Sequence, residues 1–415
     1  MERDTFGNLL AFFIWSKGKG AFDIKNKREK GGKTMNERVF ADDFKRSFMQ
    51  EDEFLQFIEK REENSSWQTV KSNELRFFAM KEEDSITRKL FDRLKGEGKE
   101  AVFQDTMEHT RLMLRVDQEK YPVRSCAVKT ILDRARVSGN ALNKVEKEVL
   151  AKILNYCMEV ASGNALLRFC EDKVSAVHGG DASDYAILEM PELFHRTVEY
   201  LQNNFPRYTF AGASYDHSIV TALWVLDGEE GMLKEYKECL QAHGLPNEKV
   251  ELGLRLTTSD TGLSGANLYP MLFLGREYKN LPLGSPLKLE HKNRADLTKF
   301  DEQLNLLYAQ YSKALGGMQK LMDVYVKYPV NAMLGVMKRI GVPKRYAMAV
   351  AEDFKVRTGG KACSVYEAYL AIAEVVSLMQ YECAEGSKIV QMEENITRAI
   401  NLRWKDYDIA GDIHW

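Results

Sequence analysis

The chain has 415 residues, 44% of them hydrophobic, and a formal net charge of −2. That length allows two or three domains with cores that need neither disulfides nor metal. The near-neutral charge excludes a global field that pulls the molecule onto nucleic acid or membrane, so polyanion binding has to come from local clusters.

Six cysteines occur, at Cys126, Cys157, Cys170, Cys239, Cys363 and Cys383. None forms a CxxC pair or a zinc-like spacing with His, so no metal or cofactor is expected. Most lie in apolar runs and read as small buried thiols of a protein in a reducing cytoplasm. No apolar run reaches the roughly 18 residues of a membrane span.

Residues 1–34 differ from the rest of the chain: a short apolar run, Leu9 to Trp15, precedes a Lys- and Gly-rich stretch. The run lacks the basic flank and cleavage site of a secretory signal. The codons for Gly31-Gly32-Lys33-Thr34-Met35 can carry a ribosome-binding sequence. Translation is therefore expected to begin at Met35, with residues 1–34 outside the fold. Phe40, Phe44, Phe48, Phe54 and Phe57 recur at roughly helical spacing over 36–63, ahead of an Asn-Ser-Ser loop. Leu75 to Met80 reads as a strand. Asp84 to Leu94 reads as a helix stopped by Gly96 and Gly98.

Val102 to Val116 is β-rich, and amphipathic helices follow at Ser125–Val137 and Leu142–Ala161. Ala165–Cys170 and Lys173–Val177 form a strand pair around the tight turn Glu171-Asp172. A helix from about Pro191 to Asn203, a second pair at Arg207–Ser214 and Ile219–Leu226, and a helix over Gly231–Ala242 come next. Val250, Leu252, Leu254 and Leu256 alternate strictly, the pattern of a half-buried antiparallel strand. From Leu297 onward one long apolar stripe runs to Tyr325, and further helices are expected at Asn331–Ile340, Lys344–Val356, Val365–Cys383 and Ile389–Trp404. The expected fold is α+β, with a central, mostly antiparallel sheet, flanking helices and an all-helical C-terminal part. The expected division is a helical segment at 35–100, a sheet domain at 101–296 and a helical region at 297–415.

Ser259-Asp260-Thr261-Gly262 contains the Asp-Thr-Gly triplet of aspartic proteases, but those enzymes need two carboxylates sharing a proton and no second copy exists. Two readings stand: a strand-to-strand loop in which Asp260 bonds the backbone and Gly262 takes positive φ, or a ligand-contact loop. In Leu287–Lys292, Lys288, Glu290 and Lys292 share one face of a strand and His291 lies on the other, which opposes a local Glu–His pair. Five Lys/Arg stand against two acidic residues over Lys279–Lys299, and eight against two over Lys327–Lys361. The second stretch places Lys338, Arg339, Lys344 and Arg345 about Gly341-Val342-Pro343, a layout suited to phosphate contact or to a solvated face. Arg168 lies inside an apolar strand and needs either a carboxylate partner or an anion. Walker, GxGxxG, HExxH and GxSxG signatures are absent, so no catalytic residue is assigned.

In these pieces the chain resembles the phage- and plasmid-associated family catalogued as domain of unknown function 932, over about residues 110–400. The resemblance lies in the helical stretch Ala127–Ala161 and in the Arg-containing strand pair followed by Asp, Tyr and a helix in Leu167–Leu201. It continues in the strand ending in a polar loop at Leu254–Gly262, and in the basic, His-containing strand Leu287–Lys292 before a helical tail. The chain departs from the family in lacking an Asn before the SDTG loop and a Cys-Asn-Gly segment after Pro270. What the resemblance implies is an intracellular protein of mobile elements with DNA-related work.

The combined expectation is a non-enzymatic protein that binds single- or double-stranded DNA, in recombination or replication. Arg168, Lys288, Lys292, Arg294, Lys338, Arg339, Lys344 and Arg345 would converge on a trough, and Tyr269 or Tyr278 would stack on bases. Ser259, Asp260, Gly262 and His291 are further ligand candidates, and a homo-oligomer is a possible assembly. The alternative expectation is a protein–protein module that uses an exposed apolar patch, as a host-defence antagonist or an assembly component.

Overall fold

The structure is a computed structural model that describes residues 38–81, 99–246, 249–275, 279–382, 386–411 and 415. The expectations for 1–34 and for the helix at Asp84–Leu94, as well as Tyr278 and Cys383, lie outside the described residues.

In chain order the strands are β1 (Lys45–Phe48), β2 (Ser65–Lys71), β3 (Arg76–Ala79), β4 (Leu112–Val116), β5 (Glu119–Pro122), β6 (Asn164–Cys170), β7 (Lys173–Gly179) and β8 (Arg207–Asp216). They continue with β9 (Val220–Asp227), β10 (Val250–Thr258), β11 (Ala266–Leu274), β12 (Lys279–Pro282), β13 (Leu287–Leu289), β14 (Tyr325–Val326) and β15 (Cys363–Ser364). The largest sheet runs β1-β8-β9-β10-β11-β12, with β13 also on β11, and every pairing in it is antiparallel. Two three-stranded sheets, β2-β6-β7 and β3-β4-β5, sit beside it. The α+β expectation with its antiparallel central sheet and helical C-terminal part is the observed architecture.

The outer neighbour of β11 is split. β12 pairs with Met271–Leu274 and β13 with Ala266–Leu268, leaving Pro270 opposite the break. The carbonyl of Pro270 accepts from Leu283 N on that side, at 2.7 Å. A strand residue points its N–H and C=O the same way, so the N–H that proline lacks falls in the gap, where it interrupts no ladder.

β10 is buried along both faces, not on one. Leu252, Leu254 and Leu256 join the main core with the helices Met190–Asn204, Glu230–Ala242 and Leu307–Met322. On the opposite face Leu223, Val225, Tyr269, Met271 and Phe273 form a separate cluster, against which Val390 of the helix Gly386–Thr397 packs. Alternation in β10 therefore marks which side meets the larger core, and a late helix covers the other. A third core, with Leu114, Ile131, Leu154, Leu167 and Val177, joins the two small sheets to the helices Ala127–Arg134 and Lys147–Glu159.

Several local expectations change. Phe44 and Phe48 flank and end β1, while Phe54 and Phe57 lie on the helix Glu51–Glu63. A spacing of four residues shares a face in a strand as well as in a helix, so periodicity does not separate the two. The rings cluster all the same, Phe48 lying 5.4 Å from Phe54 and 5.0 Å from Phe57. The Asn-Ser-Ser loop is the start of β2, which pairs with β6. The β-rich reading of 102–116 holds for β4 only, because Lys99–Glu108 is a helix. The C-terminal stripe is broken at Leu306 into the helices Leu297–Asn305 and Leu307–Met322, and β14 and β15 pair within the otherwise helical region. β1 and β2 tie the stretch 35–100 into sheets whose other strands come from 101–296.

The hairpin between β6 and β7 turns at Glu171 (φ 50°) and Asp172 (φ 60°), both left-handed as a two-residue hairpin of this twist requires. Glu171 is a poor choice on backbone grounds. It is held by Arg61 Nη1, which donates to Oε1 at 2.6 Å, and by its own N–H, which donates to Asn64 O at 3.2 Å.

Candidate functional site

Strand pairing sets Arg168 on β6 opposite Trp67 on β2, with the guanidinium 4.9 Å from the Trp67 ring centre. It donates from Nη1 to Glu62 Oε1 (2.9 Å), from Nη2 to Glu62 Oε2 (2.5 Å) and from Nε to Asp260 Oδ2 (3.1 Å). Arg168 is 3% exposed, so the carboxylate alternative for this residue is the one realised. Burial opposes its charge, but Asp260 and Glu62 hold the guanidinium protonated beyond the usual arginine range.

The loop after β10 is fixed from several sides. The Asp260 carbonyl accepts from His178 Nε2 (2.9 Å) and from Tyr185 Oη (3.2 Å). Ser259 Oγ donates to Ser218 O (2.5 Å), and Thr261 N donates to Ser259 Oγ (3.1 Å). Gly262 takes φ +70°, as expected, and a Cβ there would lie 3.3 Å from His178 Cε1. The Asp260 side chain, however, bonds Arg168 and not the backbone.

Behind the loop three rings stack. His178 lies 3.7 Å from Tyr185 and Tyr185 lies 5.0 Å from His291, with planes within 7° and 4°. His291 Nδ1 donates to Ala186 O at 3.1 Å, and its buried Nε2 has no partner. Burial pushes His178 down to about 4, and burial also lowers His291, so both rings are neutral near pH 7. With Tyr185 stacked against His291 and Asp260 engaged by Arg168, Asp260 and His291 form no acid–base pair. Glu62, Trp67, His178 and Tyr185 complete this seam and were not legible as its members. The one signal was that a buried Arg168 demands partners.

The expected trough does not assemble. Arg168 is sealed, Lys288 donates to Glu394, and Arg345 pairs with Glu382 at 2.7 Å. Lys292 lies 3.9 Å from Glu290. Tyr269 is 1% exposed and donates to Glu394 Oε1 at 2.8 Å, so it offers no base-stacking surface. Arg294 is exposed at φ 55°. Lys338, Arg339 and Lys344 are exposed, with no carboxylate partner among the described residues.

Asp42, Asp105 and His109 bring ligand atoms within 4.8 Å of one another. The Lys173 ammonium, itself buried, donates to Asp42 Oδ1 at 3.0 Å and to Asp105 Oδ2, so the positive charge this cluster needs comes from the chain. Among the described residues no helix is long and apolar enough to cross a membrane. Comparisons with family models, with curated proteins and with solved structures give no match.

Proposed function

We propose that the protein binds nucleic acid through the corner between the helices Pro329–Ile340 and Lys344–Thr358. The observation that carries this reading is charge: residues 324–351 contain Lys327, Lys338, Arg339, Lys344 and Arg345 and no Asp or Glu. Gly341 at φ 83° closes the first helix and Pro343 precedes the second, so the two cationic pairs flank one short turn. Lys344 and Arg345 fill the first turn of a helix that has no side-chain cap and no acid there. Cations are disfavoured at that end by the helix dipole, and a bound phosphate would relieve the conflict. Arg168 is buried and Lys288, although exposed, is paired with Glu394, so neither belongs to this corner. The setting in recombination or replication of phage or plasmid DNA belongs to the proposal and rests on the family resemblance.

The test is fluorescence anisotropy with labelled single- and double-stranded oligonucleotides. Three phosphate contacts, from Lys338, Arg339 and Lys344, imply a duplex affinity that falls roughly 40-fold between about 50 and 200 mM salt. The combined Lys338→Glu, Arg339→Glu and Lys344→Glu variant is expected to lose binding. Absence of affinity for either form of DNA or for RNA at low salt rejects the reading.

One observation favours the alternative of a protein-interaction module. Val149, Tyr156 and Val160, on and just past the helix Lys147–Glu159, are 43%, 74% and 83% exposed at spacings that share a face. If the charge-reversed variant keeps full biological function and Tyr156→Asp loses it, this second reading replaces the first.

A further inference from the structure

The small sheet β2-β6-β7 has two edges, and they differ. At β7 the outer backbone is taken: Arg124 N donates to Val174 O at 2.9 Å, and Val177 N donates to Thr130 Oγ1 at 2.9 Å. Nothing among the described residues does the same for β2. Ser72 N donates to Gly163 O at 3.1 Å and Glu171 N to Asn64 O at 3.2 Å, one bond beyond each end of the β2–β6 ladder. Between them the register runs without a slip from Ser65 opposite Cys170 to Lys71 opposite Asn164. Peptide groups alternate in direction along a strand, so those two bonds fix the phase. Ser66, Gln68 and Val70 turn their N–H and C=O towards β6. Trp67 and Thr69 turn both groups away, as Ser65 turns its C=O and Lys71 its N–H, and no group of the described residues meets them. No residue of β2 is buried.

An added strand must offer an acceptor to each of these donors. A second copy of β2 does so when it runs antiparallel about a two-fold axis through Gln68. Trp67 of each copy then lies opposite Thr69 of the other, exchanging both bonds, and Lys71 N–H reaches Ser65 C=O. An aromatic residue against a β-branched one is a favourable cross-strand pair. Lys71 is the one charged residue of β2, and this register keeps the two lysines at opposite ends, whereas a parallel pairing in register would set them side by side. Charge also favours a second copy. Its Lys71 arrives at Ser65, beside the carbonyl end of the helix Glu51–Glu63 and the exposed Glu63, where a cation is favoured. Within one chain Lys71 lies 3.7 Å from Glu74, with the side chains 71% and 57% exposed, a pairing easily given up.

We propose that the chain forms a two-fold dimer in which β2 pairs with β2 of a second copy, joining the two β2-β6-β7 sheets into one. Trp67 keeps its place over Arg168, because its side chain leaves the face of the sheet and the new bonds form at the edge. The interface is independent of the basic corner and of what that corner binds.

Sedimentation of the full chain, from micromolar concentration upward, is expected to show a monomer–dimer equilibrium. Thr69→Pro removes an outward N–H and puts a ring into the shared ladder, yet breaks no bond to β6. It is expected to sediment as monomer at every concentration with its far-UV spectrum unchanged. A second measurement reads the register without a proline. Gln68 on the axis faces its own copy in a non-hydrogen-bonded pair, whose Cα atoms lie about 4.5 Å apart, within disulfide reach. Under mild oxidation Gln68→Cys is expected to link chain to chain about tenfold faster than Ser66→Cys, which faces Val70 of the other copy, with the bond located by mass spectrometry. A wild-type chain that stays monomeric overturns the proposal, and the edge is then left to water or to a strand of another protein. A dimer that survives in folded Thr69→Pro, or equal linking of Ser66→Cys and Gln68→Cys, overturns this interface.

Discussion

Arg168 grips Glu62 at two points, Nη1 to Oε1 at 2.9 Å and Nη2 to Oε2 at 2.5 Å, and so bolts the end of the helix Glu51–Glu63 to β6 across 106 residues of chain. The same guanidinium reaches Asp260. Replacing it by Ala leaves two part-buried carboxylates facing each other. Arg168→Ala is expected to cost about 3 kcal/mol in urea unfolding, with nucleic-acid affinity unchanged for the protein that remains folded. A large loss of binding with full stability would return Arg168 to the ligand surface.

Lys344 gives the opposite pattern. Lys344→Glu puts an acid in the first turn of an uncapped helix and is expected to stabilise the fold by about 0.3–1 kcal/mol while weakening nucleic-acid binding severalfold. Thermal unfolding and anisotropy on the same sample check both signs. Equal binding by the variant would count against the basic corner.

The ring stack makes stability depend on pH. His178 titrates at about 4 in the folded chain, against 6.5 for an ordinary histidine, because burial disfavours its charged form. Its contribution is therefore complete above about pH 6.5 and is lost as pH falls from there towards 4, where the unfolded chain binds the extra proton first. About 2 kcal/mol should disappear between roughly pH 7.5 and 5, and His178→Gln should flatten part of that slope. That figure is the share of His178 alone, and His217 and His291, also lowered by burial, add losses of their own as pH falls. Asp42 acts at lower pH: burial opposes its charge, yet Lys173 and Arg124 keep it below 3.8, so its share goes only under strong acid.

The helix Gly386–Thr397 is fastened by Arg255, which donates to Glu393 Oε1 at 2.9 Å and Oε2 at 2.5 Å while lying 4.5 Å from the Tyr269 ring centre. Glu393→Ala is expected to cost about 3 kcal/mol, and amide exchange of this helix should rise ahead of that of β10. Uniform exchange across both elements would show that the helix opens only with the whole fold.

What was legible in the sequence was local. Strict alternation located β10, and Glu171-Asp172 located a hairpin, because period and turn chemistry are properties of neighbours. β2 was missed because Ser65–Lys71 is polar and its strand character comes from pairing with Cys170 through Asn164, about a hundred positions away. The candidate site failed for the same reason. A charge count treats Lys288 and Arg345 as free cations, whereas Glu394 and Glu382 neutralise them in space. The need of Arg168 for a partner could be read from one strand, but that Glu62 supplies it could not.

The rims of the large sheet are short, with β1 and β12 spanning four residues each and β13 three, and the β12–β13 border is interrupted at Pro270. A second molecule seeking to extend the sheet would find too few consecutive amides to grip, which protects long, greasy inner strands from runaway fibre growth. On the large sheet, therefore, the described rims give a second copy little ladder to extend, whereas β2, seven residues long, forms an edge of its own small sheet.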